Sequence, residues 1–186
     1  MNHLKTPDSR VRCPWAKDSE LYRDYHDFEW GKPVRGRDEL FERMCLEAFQ
    51  SGLSWITVLR KREAFRTAFA GFSVERVAAF NAADQTRLMA DSGIVRNRAK
   101  IRACIANAQL IRDNDINLDQ LLWSFAPPPR PRPVDVGQVP ATSVESVAMA
   151  KELKRRGFVF IGPTTAYALM QATGMVDDHV AYCWVR

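Results

Sequence analysis

The chain has 186 residues, 46% of them apolar, which is enough to bury one continuous core, so a single domain over 1–186 with a flexible stretch at 1–11 is the expectation. Its 27 Lys and Arg exceed the 22 Asp and Glu, and the isoelectric point of about 9.2 permits a polyanionic partner without demanding one. No apolar run approaches the roughly 20 residues of a membrane span, and the opening MNHLKTPDSRVRCPW lacks the apolar centre of a secretory signal. These features predict a cytoplasmic protein with no membrane partner. The four cysteines, at 13, 45, 104 and 183, are too dispersed to suggest a disulfide framework.

Apolar residues recur with a 3.6-residue period and β-branched alternation is almost absent, which predicts an all-α protein. The first notable segment runs from Arg12 through Cys13 and Trp15 to Trp30 and gathers Trp15, Tyr22, Tyr25, Phe28 and Trp30 among charged neighbours. Such rings suit stacking on a flat base, and they equally suit an aromatic mini-core with hydroxyls at the surface. Asp38 opens a helix over 38–50 in which Leu40, Phe41, Met44, Cys45 and Ala48 form an apolar stripe. Glu47 lies three residues after Met44, on the inward face. A carboxylate there must be hydrogen-bonded, neutralised or facing a cleft, and both a functional and a structural role fit.

Ser54 caps a helix over 55–69, Ser73 and Asn81 cap two shorter ones, and further helices follow over 95–112 and 118–125. The run Ala126-Pro-Pro-Pro-Arg-Pro-Arg-Pro133 must be extended, because it lacks the backbone donors of a helix. Thr142 and Glu145 form a capping box for a helix that ends at Arg155, Arg156 and Gly157. Gly162 permits a turn and Pro163 suits the first position of the next helix, making a hairpin of two helices over about 153–174. Its backbone N–H groups suit a phosphate, and an ordinary helical corner would look the same. Finally Asp177 or Asp178 caps a last short helix that sets His179 and Cys183 on one face, as a metal pair or as core packing. Cys13 and His26 are the candidates for two further ligands, whereas His3 falls in the expected flexible end.

Taken together, RCPW at 12–15, YHDFEWG at 25–31, LFERMCLEAFQSGLSWITVLRKRE at 40–63, SGIVRNRAKI at 92–101, WSF at 123–125 and LKRRGFVFIGPTTAYALMQATGMVDDHV at 153–180 resemble one family closely. It is the bacterial type I DNA-3-methyladenine glycosylases of the helix-hairpin-helix superfamily, and the resemblance spans nearly all of the chain after residue 11. It implies the glycosylase fold, a structural Zn²⁺ held by Cys13, His26, His179 and Cys183, and a base pocket lined by Glu47 as catalytic residue with Tyr25, Trp55, Trp15 and Trp30. Leu53 falls where the family offers an apolar plug for the gap left by a flipped nucleotide, and Gly162 and Thr164 fall on the DNA-binding hairpin.

The implied partners are double-stranded DNA carrying an alkylated adenine and free 3-methyladenine as product, with the protein acting as a monomer. Thr164 occupies the hairpin position where a Schiff-base lysine would stand, so hydrolysis without a lyase step is expected. Asp177 falls where other members of the superfamily place a catalytic aspartate, and it serves either as a helix cap or in positioning water. Two alternatives share the sequence: a DNA-binding paralogue that has lost catalysis, and a zinc hydrolase with an open metal position.

Overall fold

The computed structural model describes residues 9–17 and 19–185. Most of the stretch expected to be flexible, including His3, lies outside them. Among the described residues there are ten α-helices and no strand, in line with the apolar period: α1 Glu20–Phe28, α2 Arg37–Gln50, α3 Trp55–Arg60, α4 Arg62–Ala68, α5 Val74–Ala78, α6 Ala82–Ala90, α7 Arg98–Asp113, α8 Leu118–Trp123, α9 Val144–Arg156 and α10 Pro163–Ala172. No helix among them is long and apolar enough to cross a membrane.

The centre is α2. Its stripe buries Leu40, Phe41, Met44, Cys45, Leu46 and Phe49 almost completely, and α3, α5, α7, α8 and α10 all pack against it. Burial of each such side chain is worth roughly 1.5–3 kcal/mol, so this helix is the least movable part of the molecule. Phe49, Phe65, Phe69 and Phe72 continue the core as a run of neighbouring rings with centroids 4.6–6.2 Å apart. The position of anything carried on α2 is therefore set by the core.

Several helix ends differ from the sequence reading, each for a local reason. α2 begins at Arg37 after Gly36, whose φ of 94° only glycine adopts readily. Asp38 instead accepts from the backbone N–H of Val74 and so stops the start of α5. The helix expected over 55–69 is two, because Lys61 breaks the geometry between α3 and α4. The box before α9 is Ser143 with Ser146 rather than Thr142 with Glu145. The last short helix does not form: beyond Thr173 the chain runs in turns to Val185. A helix the period did not reveal, α1, holds the aromatic segment, with Ser19 as its cap.

The proline run is extended as expected. It acts as a strap over the chain's end: the Pro133 carbonyl accepts from Ala181 N–H at 2.8 Å, and Arg132 donates to the Val185 carbonyl at 2.6 Å and to Asp177 at 2.7 Å. α9, with its basic end, stops at Gly157 in the left-handed region (φ 100°), and Pro163 is the first residue of α10, so the two helices form the hairpin that was expected.

Candidate base-binding site

Between α1, the loop preceding it, α2, α3 and α10 lies a cavity of about 400 Å³. One wall carries Trp15, Tyr25, Trp30, Glu47 and Trp55, so all five side chains that the sequence assigned to a base pocket meet here. The rings of Tyr25 and Trp55 are 5.3 Å apart and tilted at 43°, and Trp15 meets Trp30 edge-on at 5.0 Å. The other wall comes from elements distant in sequence: Ala168, Gln171 and Asp178, with Val136 and Val139 from a short 3₁₀ turn, Val136–Gln138, beyond the strap.

Glu47 reaches the cavity because the inward stripe of α2 leaves the core at that residue. Its exposure is 5%, and among the described residues its carboxyl group takes no hydrogen bond. Burial pushes its pKa from 4.5 up to about 8, against the opposing pull of Arg43 one turn earlier. Arg43 is itself committed, sharing Glu29 with Arg62 at 2.6–3.0 Å. Tyr25 is also raised above the ordinary tyrosine value, by burial first and by Glu47 second. The buried indole N–H of Trp55 has no partner either. An unmet buried donor costs about 1–3 kcal/mol, so this mostly aromatic and apolar cavity holds polar groups that an occupant would satisfy.

The loop from Ser51 to Ser54 joins α2 to α3 beside this opening. Lys100, 6% exposed, donates to the carbonyls of Phe49 at 2.8 Å and Ser51 at 2.5 Å and so fastens the end of α2. Leu53 stands on that loop, 39% exposed. Gly162 borders a shallow depression next to the same loop, lined also by Ser51, Lys154 and Phe160, while Thr164 is exposed one residue into α10. None of Leu53, Gly162 and Thr164 lines the cavity.

Adjoining the cavity, which Cys13 also lines, Cys13, His26 and Cys183 bring their donor atoms within 4.8 Å of one another, all buried. The fourth expected ligand, His179, stands outside that group of three but adjoins it, its ring 5.0 Å from that of His26. Each imidazole has its Nδ1 tied to an aspartate at 2.8 Å, His26 to Asp27 and His179 to Asp177. Nε2 of His26 accepts from the backbone N–H of Cys13 at 3.4 Å and lies 3.5 Å from Cys183 Sγ, whereas among the described residues Nε2 of His179 is buried without a partner. Burial and the neighbouring Cys183 push the Cys13 thiol up to about 12, a state that a cation in the group would reverse. Thiols, imidazoles and carboxylates behind the imidazoles are the donor set of a metal site.

A buried acid among aromatic rings, in an all-helical fold with a basic-ended hairpin, is a site suited to a planar heterocycle. Residues 15–186 match the methyladenine glycosylase family. The chain is 45% identical over 181 residues to the DNA-3-methyladenine glycosylase of Haemophilus influenzae, covering 93% of this chain and 96% of that one. It is 44% identical to DNA-3-methyladenine glycosylase 1 of Escherichia coli K12, covering 92% and 95%. A crystal structure of a 3-methyladenine DNA glycosylase I superposes with a TM-score of 0.89 at 42% identity, covering 94% of this chain and 98% of that chain. Another, solved in complex with 3-methyladenine, gives 0.87 at 31% identity, covering 93% and 96%. The chain therefore belongs to the methyladenine glycosylase family.

The aromatic wall and the acid were legible in the sequence. Gln171, Asp178, Val136 and Val139 were not assigned to the pocket, because nothing in their local pattern marks them and the strap and α10 fold them in from afar.

Proposed function

We infer that this chain removes 3-methyladenine from alkylated double-stranded DNA and hydrolyses the bond between base and sugar. The observation that carries the reading is the buried, unpartnered carboxyl group of Glu47 facing Tyr25 and Trp55 in a cavity of about 400 Å³. Methylation at N3 makes the adenine cationic, so its departure as a neutral base needs no protonation by the enzyme. Stacking of the electron-poor ring on Trp55 and Tyr25 contributes roughly 0.5–2 kcal/mol, and Trp15 and Trp30 close the aromatic wall behind them. Glu47 accepts from the exocyclic amine. A cation beside it favours its ionised form, so an intact, neutral adenine gains less from the same contact. Selection acts a second time at the duplex, since a lesion that pairs poorly costs less to unstack.

Leu53 would fill the gap left by the flipped nucleotide, and the backbone around Gly162 and Thr164 would receive a phosphate at the start of α10. Cys13, His26, His179 and Cys183 would hold a Zn²⁺ ion. With four protein ligands it supplies no reacting water and serves to tie the first and last segments of the chain together. The four groups fit it through the unpartnered Nε2 of His179, the Nε2 of His26 that lies 3.5 Å from Cys183 Sγ, and the two thiols. The test is release of free 3-methyladenine from methylated duplex by the wild type and by Glu47→Gln: loss of release with an unchanged fold supports the assignment, and equal release removes it.

A further inference from the structure

Two adjacent aspartates follow α10, and the structure gives them different work. Asp177 is occupied: one oxygen accepts from the backbone N–H and Nδ1 of His179, the other from Arg132, and it does not line the base cavity. Asp178 does line it. Its Oδ2 accepts from the Tyr167 hydroxyl at 2.7 Å and from Gln171 Nε2 at 2.8 Å, both on α10. Tyr167 is buried, at 3% exposure, so this carboxylate is held on a rigid helix. Among the described residues its Oδ1 has no hydrogen-bond partner. The cavity thus has a second carboxyl group, carried on a different segment from Glu47, and Glu47 already accounts for the base.

Resting on the activity inferred above, we propose that Asp178 is a further catalytic residue, whose free oxygen faces the flipped nucleotide and stabilises the positive charge that moves onto the sugar. When the C1′–N9 bond breaks, its electron pair stays on N9 and cancels the charge of the methylated base, which leaves neutral. The charge passes to C1′ and the ring oxygen of the sugar. Water then forms the new C1′–O bond and gives up its surplus proton to solvent, while Asp178 makes and breaks no covalent bond. Inside a protein cavity a fixed charge acts on its occupant more strongly than in bulk water. The base-side and sugar-side charges are thereby met by different carboxyl groups, Glu47 before bond cleavage and Asp178 during it.

Asp178→Asn separates this role from a structural one, because an asparagine oxygen still accepts from Tyr167 and Gln171 but carries no charge. Single-turnover release of 3-methyladenine from methylated duplex is expected to fall by at least about 100-fold. Affinity for free 3-methyladenine, read by quenching of the pocket tryptophans, and the melting temperature are expected to be unchanged. Wild-type release by Asp178→Asn overturns the proposal, and so does a loss of release accompanied by loss of affinity or of melting temperature. Tyr167→Phe, which leaves the carboxylate charged but less firmly held, is expected to slow release by a smaller factor at unchanged affinity; unaltered release in that variant also counts against it. Glu47→Gln in the same assays is expected to lose affinity for the free base, so a failure of the base-reading assignment shows there and not in Asp178→Asn.

Discussion

The two faces of α1 carry polar clusters that are completed in opposite ways. On one face the histidines are braced: Asp27 holds His26, Asp177 holds His179, and Arg12 and Trp184 in turn hold Asp27. On the other, Glu47 is buried and, among the described residues, neither its carboxyl group nor the buried indole N–H of Trp55 has a hydrogen-bond partner. The difference separates a cluster whose geometry is fixed from outside, as would suit a resident ion, from one left incomplete, as would suit a visitor. Side chains behind the first are spent on rigidity, whereas the second accepts a stability penalty that only a bound base relieves.

The comparison breaks most visibly at Glu47. Glu47→Ala is expected to lower excision by about 100-fold or more with an intact helical circular-dichroism spectrum. Normal turnover in that variant would remove the visitor from the second cluster. Leu53→Ala tests the rim of the same site, with an expected loss of about tenfold on duplex substrate, equivalent to about 1.4 kcal/mol, and no change in binding of the free base. An equal loss in both assays would place Leu53 inside the pocket rather than on its rim.

At the braced cluster, Cys183→Ala is expected to lower bound metal and melting temperature together, a loss of roughly 2 kcal/mol showing as about 4–8 °C. A metal-free variant of normal stability would contradict a structural ion.

The smallest effect sharpens the contrast through pH. Because Glu47 is raised from 4.5 to about 8, the folded chain keeps a proton across that interval that the unfolded chain has released. Its contribution therefore makes stability fall as pH rises from the lower value to the upper, and is level outside them. Glu47→Gln is expected to flatten this slope in urea melts at the two ends of the interval. An unchanged slope would mean that the carboxyl group is solvated.

Much of this was legible because it is local. The stripe from Leu40 to Ala48 declares α2 and its buried face, Asn81 declares the start of α6, and Gly157, Gly162 and Pro163 declare the hairpin. Glu47 was conspicuous as an acid on an apolar face. What escaped depends on distant partners. α1 is strongly amphipathic, but the face it buries carries Tyr25, His26 and Asp27 rather than an aliphatic stripe, so it did not read as a core helix. The turns around His179 replace a short helix because the strap, through Pro133 and Arg132, engages the backbone there. Asp178 looks like a cap residue until Tyr167 and Gln171 fold against it.

Tyr25 and His26 are consecutive residues of α1, one turned to the cavity and the next to the cysteines. A ring that lines the cavity is thus one peptide bond from the cluster that brings Cys13 and Cys183 together. Trimming the last few residues would consequently do more than fray an edge: it would slacken the wall against which the lesion is recognised, leaving a folded remnant blind to its target.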